Sequence, residues 1–221
     1  MRSSLLAALL LGISTVACAA QEVGAPLEIT TEKTLPRAIL TTSYEAKLTA
    51  TGGVPPRAWE VIAGSLPPGL DLDPVSGKIS GTPTALGQFH FAVEVSDADD
   101  PADTRSREFT LAVIAALVVE WKSAPAVTQD GIAGSVKLAN QTASDADLTM
   151  IVVAVNEIGK AFVLGYQQFT FAGQATIPEI VFGSSLPRGN YIVHADVIAE
   201  MPGKNTIYRA RLQTSQPLAT H

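Results

Sequence analysis

The chain has 221 residues, 47% hydrophobic and 16% charged, with a formal net charge of −6. This apolar content is enough for real cores and argues against disorder. An acidic chain without a basic stripe is a poor match for nucleic acid and has no electrostatic pull toward anionic membranes. The one cysteine, Cys18, lies near the start. The folded part therefore has no disulfide or thiol ligand and must be held by packing and strand ladders.

Residues 1–20 have the pattern of a secretory signal peptide. Arg2 is a short positive region, 5–13 is an apolar run too short to span a bilayer, and small residues follow. No later apolar run is long enough for a transmembrane helix. Two cleavage readings stay open. A cut after Ala19 or Ala20 releases a chain with no cysteine. Alternatively, Thr15-Val16-Ala17-Cys18 resembles a bacterial lipobox, with Cys18 acylated as the first mature residue, although lipoboxes usually carry Leu where Thr15 stands. Several acyl chains there would anchor the protein to a membrane. What remains is the size of about two domains of about 95 residues.

The first domain is expected over 25–115, as short strands with period-two alternation between Gly/Pro turns. Strands are read at 44–50, 58–61, 70–72, 78–80, 89–95 and 108–113. The best of them places Phe89, Phe91, Val93 and Val95 on one face. Trp59 is the expected core aromatic. About seven short strands without a helical period predict a Greek-key sandwich.

The segments Leu48-Thr-Ala-Thr-Gly-Gly53, Trp59-Glu-Val61, Ser65-Leu-Pro-Pro-Gly-Leu-Asp-Leu72, Ser76-Gly-Lys-Ile-Ser-Gly-Thr-Pro-Thr84 and Gly87-Gln-Phe-His-Phe-Ala-Val-Glu-Val-Ser-Asp97 carry a more specific signal. Together they resemble the immunoglobulin-like domains of bacterial surface proteins, which belong with cadherin-like and dystroglycan-type modules. The resemblance covers nearly the whole segment. It implies a spacer or adhesive unit, and some relatives bind calcium.

The loop at 96–103 presents four carboxylates, Asp97, Asp99, Asp100 and Asp103. They are the candidate calcium ligands, although a hard cation takes six to eight oxygens and this loop lacks the glycine and distal glutamate of an EF-hand. The plain alternative is a hairpin loop in which Asp and Pro form turns. The loop is placed at the pole away from the second domain.

The second domain is expected over 117–217, after a short apolar linker that keeps the two domains in contact. Strands are read at 118–121, 134–140, 148–155, 162–169, 176–182, 191–198 and 206–212. Leu186-Pro-Arg-Gly-Asn-Tyr191 looks like a tyrosine corner, in which the ring packs on the core and the hydroxyl bonds backbone. Arg209 and Arg211 are read as charged protection of an edge strand. Tyr166-Gln-Gln-Phe169 could offer an aromatic and amides to a sugar, against ordinary strand packing. Asn140-Gln-Thr142 is an N-glycosylation sequon, without meaning in a bacterial host.

No catalytic constellation appears. His90 falls on the solvent face of its strand. His194 lies two residues from Asp196 on the same strand face. No serine occupies a nucleophile elbow. The fold class is thus all-β, with two immunoglobulin-like sandwiches in tandem after a leader. The expected role is an exported, non-enzymatic module of the periplasm, outer membrane or cell surface, for adhesion, scaffolding or protein contact. Its partners would be other envelope or surface proteins, and the membrane only through an acylated Cys18. A carbohydrate-binding module and a calcium-stiffened spacer are the alternatives. No cofactor other than calcium is implied.

Overall fold

The computed structural model describes residues 25–99, 102–203 and 205–221. The leader and Cys18 lie outside the described residues. Among the described residues every regular element is a strand.

The first sandwich holds β1 (Glu28–Ile29), β2 (Ala38–Ile39), β3 (Tyr44–Lys47), β4 (Ala50–Thr51), β5 (Ala58–Gly64), β6 (Leu70–Leu72), β7 (Lys78–Gly81), β8 (Gly87–Ser96) and β9 (Thr104–Ile114). One sheet runs β2-β9-β8-β5, with β2 parallel to β9. The facing sheet runs β3-β7-β6, and β1 pairs β4. Alternation does the work here. Phe91, Val93 and Val95 of β8 and Phe109, Leu111 and Val113 of β9 are buried against Leu48, Trp59 and Ile79, and Phe89 is half-buried at the margin. The opposite side of β8 carries Gln88, His90, Ala92, Glu94 and Ser96.

Two features differ from the sequence reading. The single strand expected at 44–50 is split. Its first part pairs β7 and its second pairs β1, so they belong to different sheets. The break falls at Leu48, whose side chain is buried and whose N–H donates to Gly77 O at 2.8 Å. Gly77 has φ +68°, and a Cβ there would lie 2.8 Å from Trp59 Nε1. Glycine is what allows this turn to close over the core tryptophan. In addition, β1 and β2 are too short to show any period.

The second sandwich begins after two linker residues, Ala115 and Ala116. It holds β10 (Leu117–Val127), β11 (Gly131–Asn140), β12 (Ala146–Asn156), β13 (Ala161–Phe171), β14 (Thr176–Ser185), β15 (Gly189–Met201), β16 (Thr206–Gln213) and β17 (Leu218–Thr220). A three-stranded sheet runs β10-β11-β14. A larger sheet runs β13-β12-β15-β16, with β17 also on β15. The seven strands read from the sequence are all present and longer than read, and β17 is added. Between the sheets lie Ile132, Val136 and Leu138 from one side and Leu148, Met150, Val152, Val193, Ala195 and Val197 from the other.

Tyr191 donates its hydroxyl to Pro187 O at 2.8 Å while its ring is buried, so the tyrosine corner is real. Thr220 Oγ1 donates to the same carbonyl at 2.7 Å, which ties the C-terminal strand to this corner. Tyr44 makes a similar lock in the first sandwich, donating to Pro36 O at 3.0 Å; burial pushes its phenol up to about 12. Gln141 N donates to Ala116 O of the linker at 2.8 Å, and between the sandwiches the hydroxyls of Thr42 and Tyr208 lie 2.8 Å apart.

Candidate protein-interaction face

The acidic loop is organised by one carboxylate. Asp97 Oδ2 accepts from Val54 N at 2.9 Å, and Oδ1 accepts from Asp103 N at 2.8 Å and Asp99 N at 3.2 Å. The bond from Val54 leads in holding this carboxyl below the ordinary carboxylate range, against the opposing effect of burial. Asp103 turns outward and pairs with Arg105 at 2.6 Å. Asp100 lies outside the described residues. Among the described residues no three His, Cys, Asp or Glu side chains gather as metal ligands. The oxygens of Asp97 thus serve backbone amides of the loop, as in an Asx-type turn.

The histidines are apart. His90 is exposed, with Nδ1 3.1 Å from Thr110 Oγ1. His194 and Asp196 share the outer face of β15, as alternation requires, but Asp196 pairs with Arg211 on β16. A depression of about 710 Å³ is lined by Arg37, Asn140, Gln141, Gln174, Thr176 and aliphatic neighbours, with no acid or histidine on its wall.

Other flagged residues have structural partners. The sequon asparagine, Asn140, is buried. Its Nδ2 donates to Ser144 O, Phe171 O and Ala172 O at 3.0–3.2 Å, and Oδ1 accepts from Thr142 N and Oγ1. A glycan on that nitrogen would displace these contacts. In the 166–169 segment Tyr166 is exposed and its hydroxyl reaches Gln168 Oε1 at 3.3 Å, whereas Phe169 packs on the core. Tyr166 is the one aromatic of the described residues that is exposed, so no row of aromatics forms a sugar platform. Lys160 lies 5.1 Å over the Phe162 ring. Arg209 and Arg211 are exposed on β16, at the edge of its sheet.

What sequence reading passed over is the outer face of that same sheet. On β12 the outward positions are Thr149, Ile151, Val153 and Val155. Register places Tyr166 and Val163 of β13 beside Ile151 and Val153. On the other side it places Ile192, His194, Asp196 and Ile198 of β15. Beyond these lie Ile207, Arg209, Arg211 and Gln213 of β16. Val163, Tyr166 and Ile207 are 56%, 58% and 53% exposed, and the central residues are half-open. A sheet with one wet face should alternate apolar and polar. The residues of 150–155 instead read Met-Ile-Val-Val-Ala-Val, apolar on both sides. That run is the signal, and no element of the described residues covers it. The matching face of the first sandwich, with Glu60, Glu94 and Glu108, is acidic and small-residue in character.

Comparison with known proteins bears on the fold. Residues 23–114 match the family model described as "Putative Ig domain". A crystal structure of mouse cadherin-23 repeats EC22-24 is 15% identical, with a TM-score of 0.37, over 88% of this chain and 66% of that one. A crystal structure of a putative alpha-galactosidase/melibiase from Bacteroides fragilis is 20% identical, with a TM-score of 0.35, over 40% of this chain and 17% of that one. The chain thus spans less than two thirds of the length of either. No curated protein matches it. Nine strands in three sheets, a motif run from Leu48 to Asp97 and the match to the "Putative Ig domain" model coincide on one segment: residues 23–114 are an immunoglobulin-like domain, carried as the first of two tandem sandwiches.

Proposed function

We propose that this protein is an exported, non-enzymatic module of the cell envelope or surface that acts by protein contact. The carrying observation is the uncovered apolar face of the β13-β12-β15-β16 sheet. Contiguous exposed apolar surface of this kind is costly to leave in water and marks contact sites. The leader-like residues 1–20 support export. The immunoglobulin-like fold of the first sandwich supports a role as a rigid carrier that presents the second.

The test is site-specific photo-cross-linking in the producing cell. A photo-reactive side chain is placed at position 163 on this face and, as a control, at position 94 on the acidic face of the first sandwich. Protein adducts are expected at 163 and not at 94. No adduct at 163, or equal adducts at both positions, would sink the proposal.

A further inference from the structure

We infer that the occupant of this apolar face is a second copy of the chain, packed sheet against sheet about a two-fold axis; the inference rests on the protein-contact reading above and names its partner. Three observations carry it.

The first is charge. The whole chain is formally −6. Yet from the row of Thr149 to the row of Val155 the face holds one acid, Asp196, and two bases, Arg209 and Arg211. The acids Asp147 and Glu200 sit together in the row beyond, at one end. The acidic repulsion between two chains is therefore locally small on this face, which carries one surplus positive charge, whereas stacking the first sandwich's face on itself would bring Glu60, Glu94 and Glu108 against their own copies.

The second is self-complementarity, read from the register. Consider a two-fold axis lying between the facing sheets, perpendicular to the strands, and passing between the rows of Ile151 and Val153. It exchanges those rows. Ile151 then meets the partner's Val153, and Tyr166 meets the partner's Val163. Asp196 meets the partner's His194, so the polar groups on the central strands face each other. One row out, Ile198 meets the partner's Ile192. A two-fold interface must match a patch with itself. Here the two central rows pair apolar with apolar and polar with polar, and one row out Thr149 meets the partner's Val155 and Gln168 meets the partner's Ala161 at the margin. Aligned packing of sheets is a standard geometry for such faces.

The third is size. With strands about 4.8 Å apart and about 3.4 Å per residue, four strands over 149–155 project on the order of 450 Å². Two copies would bury on the order of 900 Å² in total, just under the threshold for a stable specific pair and in the range of weak, reversible ones.

The test is sedimentation equilibrium of the full two-domain chain at rising concentration, beside Val153→Lys at the centre of the face and Val163→Lys on the exposed edge strand. Circular dichroism and melting confirm that each variant is folded; because Val163 is already open to solvent, that variant keeps the test valid if the first fails to fold. The expected result is a reversible dimer for the wild type, twice the single-chain mass, and a monomer for each folded lysine variant. A dimer that persists in the folded variants overturns the assignment to this face. A wild type that stays monomeric at high micromolar concentration overturns the second copy as occupant. The cross-linking above separates the two levels. Self-adducts from position 163 support the dimer, adducts with a different protein overturn it while leaving protein contact standing, and no adduct overturns both.

Discussion

Replacing Asn140 by alanine should remove most of the stability of the second sandwich. The side chain is 4% exposed and sits where the end of β11, the 141–145 turn and the end of β13 meet. Alanine deletes three contacts from Nδ2 to the carbonyls of Ser144, Phe171 and Ala172, and two accepted by Oδ1 from Thr142. Nδ2 has two hydrogens, so one is shared, and Thr142 Oγ1 keeps its bond to Ser144 O. About four net losses at about 1 kcal/mol each, some leaving buried carbonyls bare, give roughly 3–5 kcal/mol. For a domain of about 100 residues that is a fall in Tm of well over 10 °C. Urea unfolding followed by tryptophan fluorescence suits the question, because Trp59 reports the first sandwich and Trp121 the second. The shift should appear in the Trp121 transition and leave the Trp59 transition nearly in place. Asn140→Asp keeps the shape but turns a carboxylate toward three carbonyls. At pH 7 it should be at least as damaging as alanine, and it should recover in part on acidification, when the protonated acid regains a donor. Asn140→Ala costing less than about 1 kcal/mol, or a fully stable Asn140→Asp at pH 7, would refute the reasoning.

Two further outcomes concern the first sandwich. Tyr44 has its phenol raised to about 12 by burial, above an unfolded value of about 10. Its contribution is complete below pH 10 and is lost as pH rises toward 12, so the wild type should lose more stability than Tyr44→Phe between pH 9 and pH 11; equal losses in urea midpoints would refute the burial argument. Asp97 is shifted the other way, with a folded value below the ordinary carboxylate range. Its contribution is present above about pH 4 and is lost as pH falls through the lowered value. Asp97→Ala should therefore lower the Tm of the first sandwich at neutral pH, with the gap closing in acid, and chelation of calcium should leave the wild-type Tm unchanged; a fall on chelation would restore the cation role to this loop.

Much of the fold is legible locally. Alternation in 89–95 names Phe91, Val93 and Val95 as core, and the structure buries all three. The Leu-Pro-Arg-Gly-Asn-Tyr sequence announces the corner that Tyr191 makes with Pro187. The 44–50 run misleads because it alternates throughout. Only Gly77, turning back more than 25 residues later to take the Leu48 N–H, ends the first ladder there. The candidate face was half-legible. An unbroken apolar run at 150–155 says that something covers both sides of the strand, but a sequence does not say which neighbours lie beside it.

By itself, then, the sequence determined the all-β class, two sandwich-sized units, the placement of turns and most inward-facing residues. These depend on period-two patterning and on the φ preferences of Gly and Pro, which act within a few residues. The tertiary structure decided how residues far apart are joined: that Asp97 is bound to Val54 and Asp103, that Asn140 ties β11 to the end of β13, and that Val163 lies beside Val153 and Tyr166 beside Ile151 on one face. Strand order and register set those neighbours. Both arise from cooperative long-range pairing, which no short window of sequence contains.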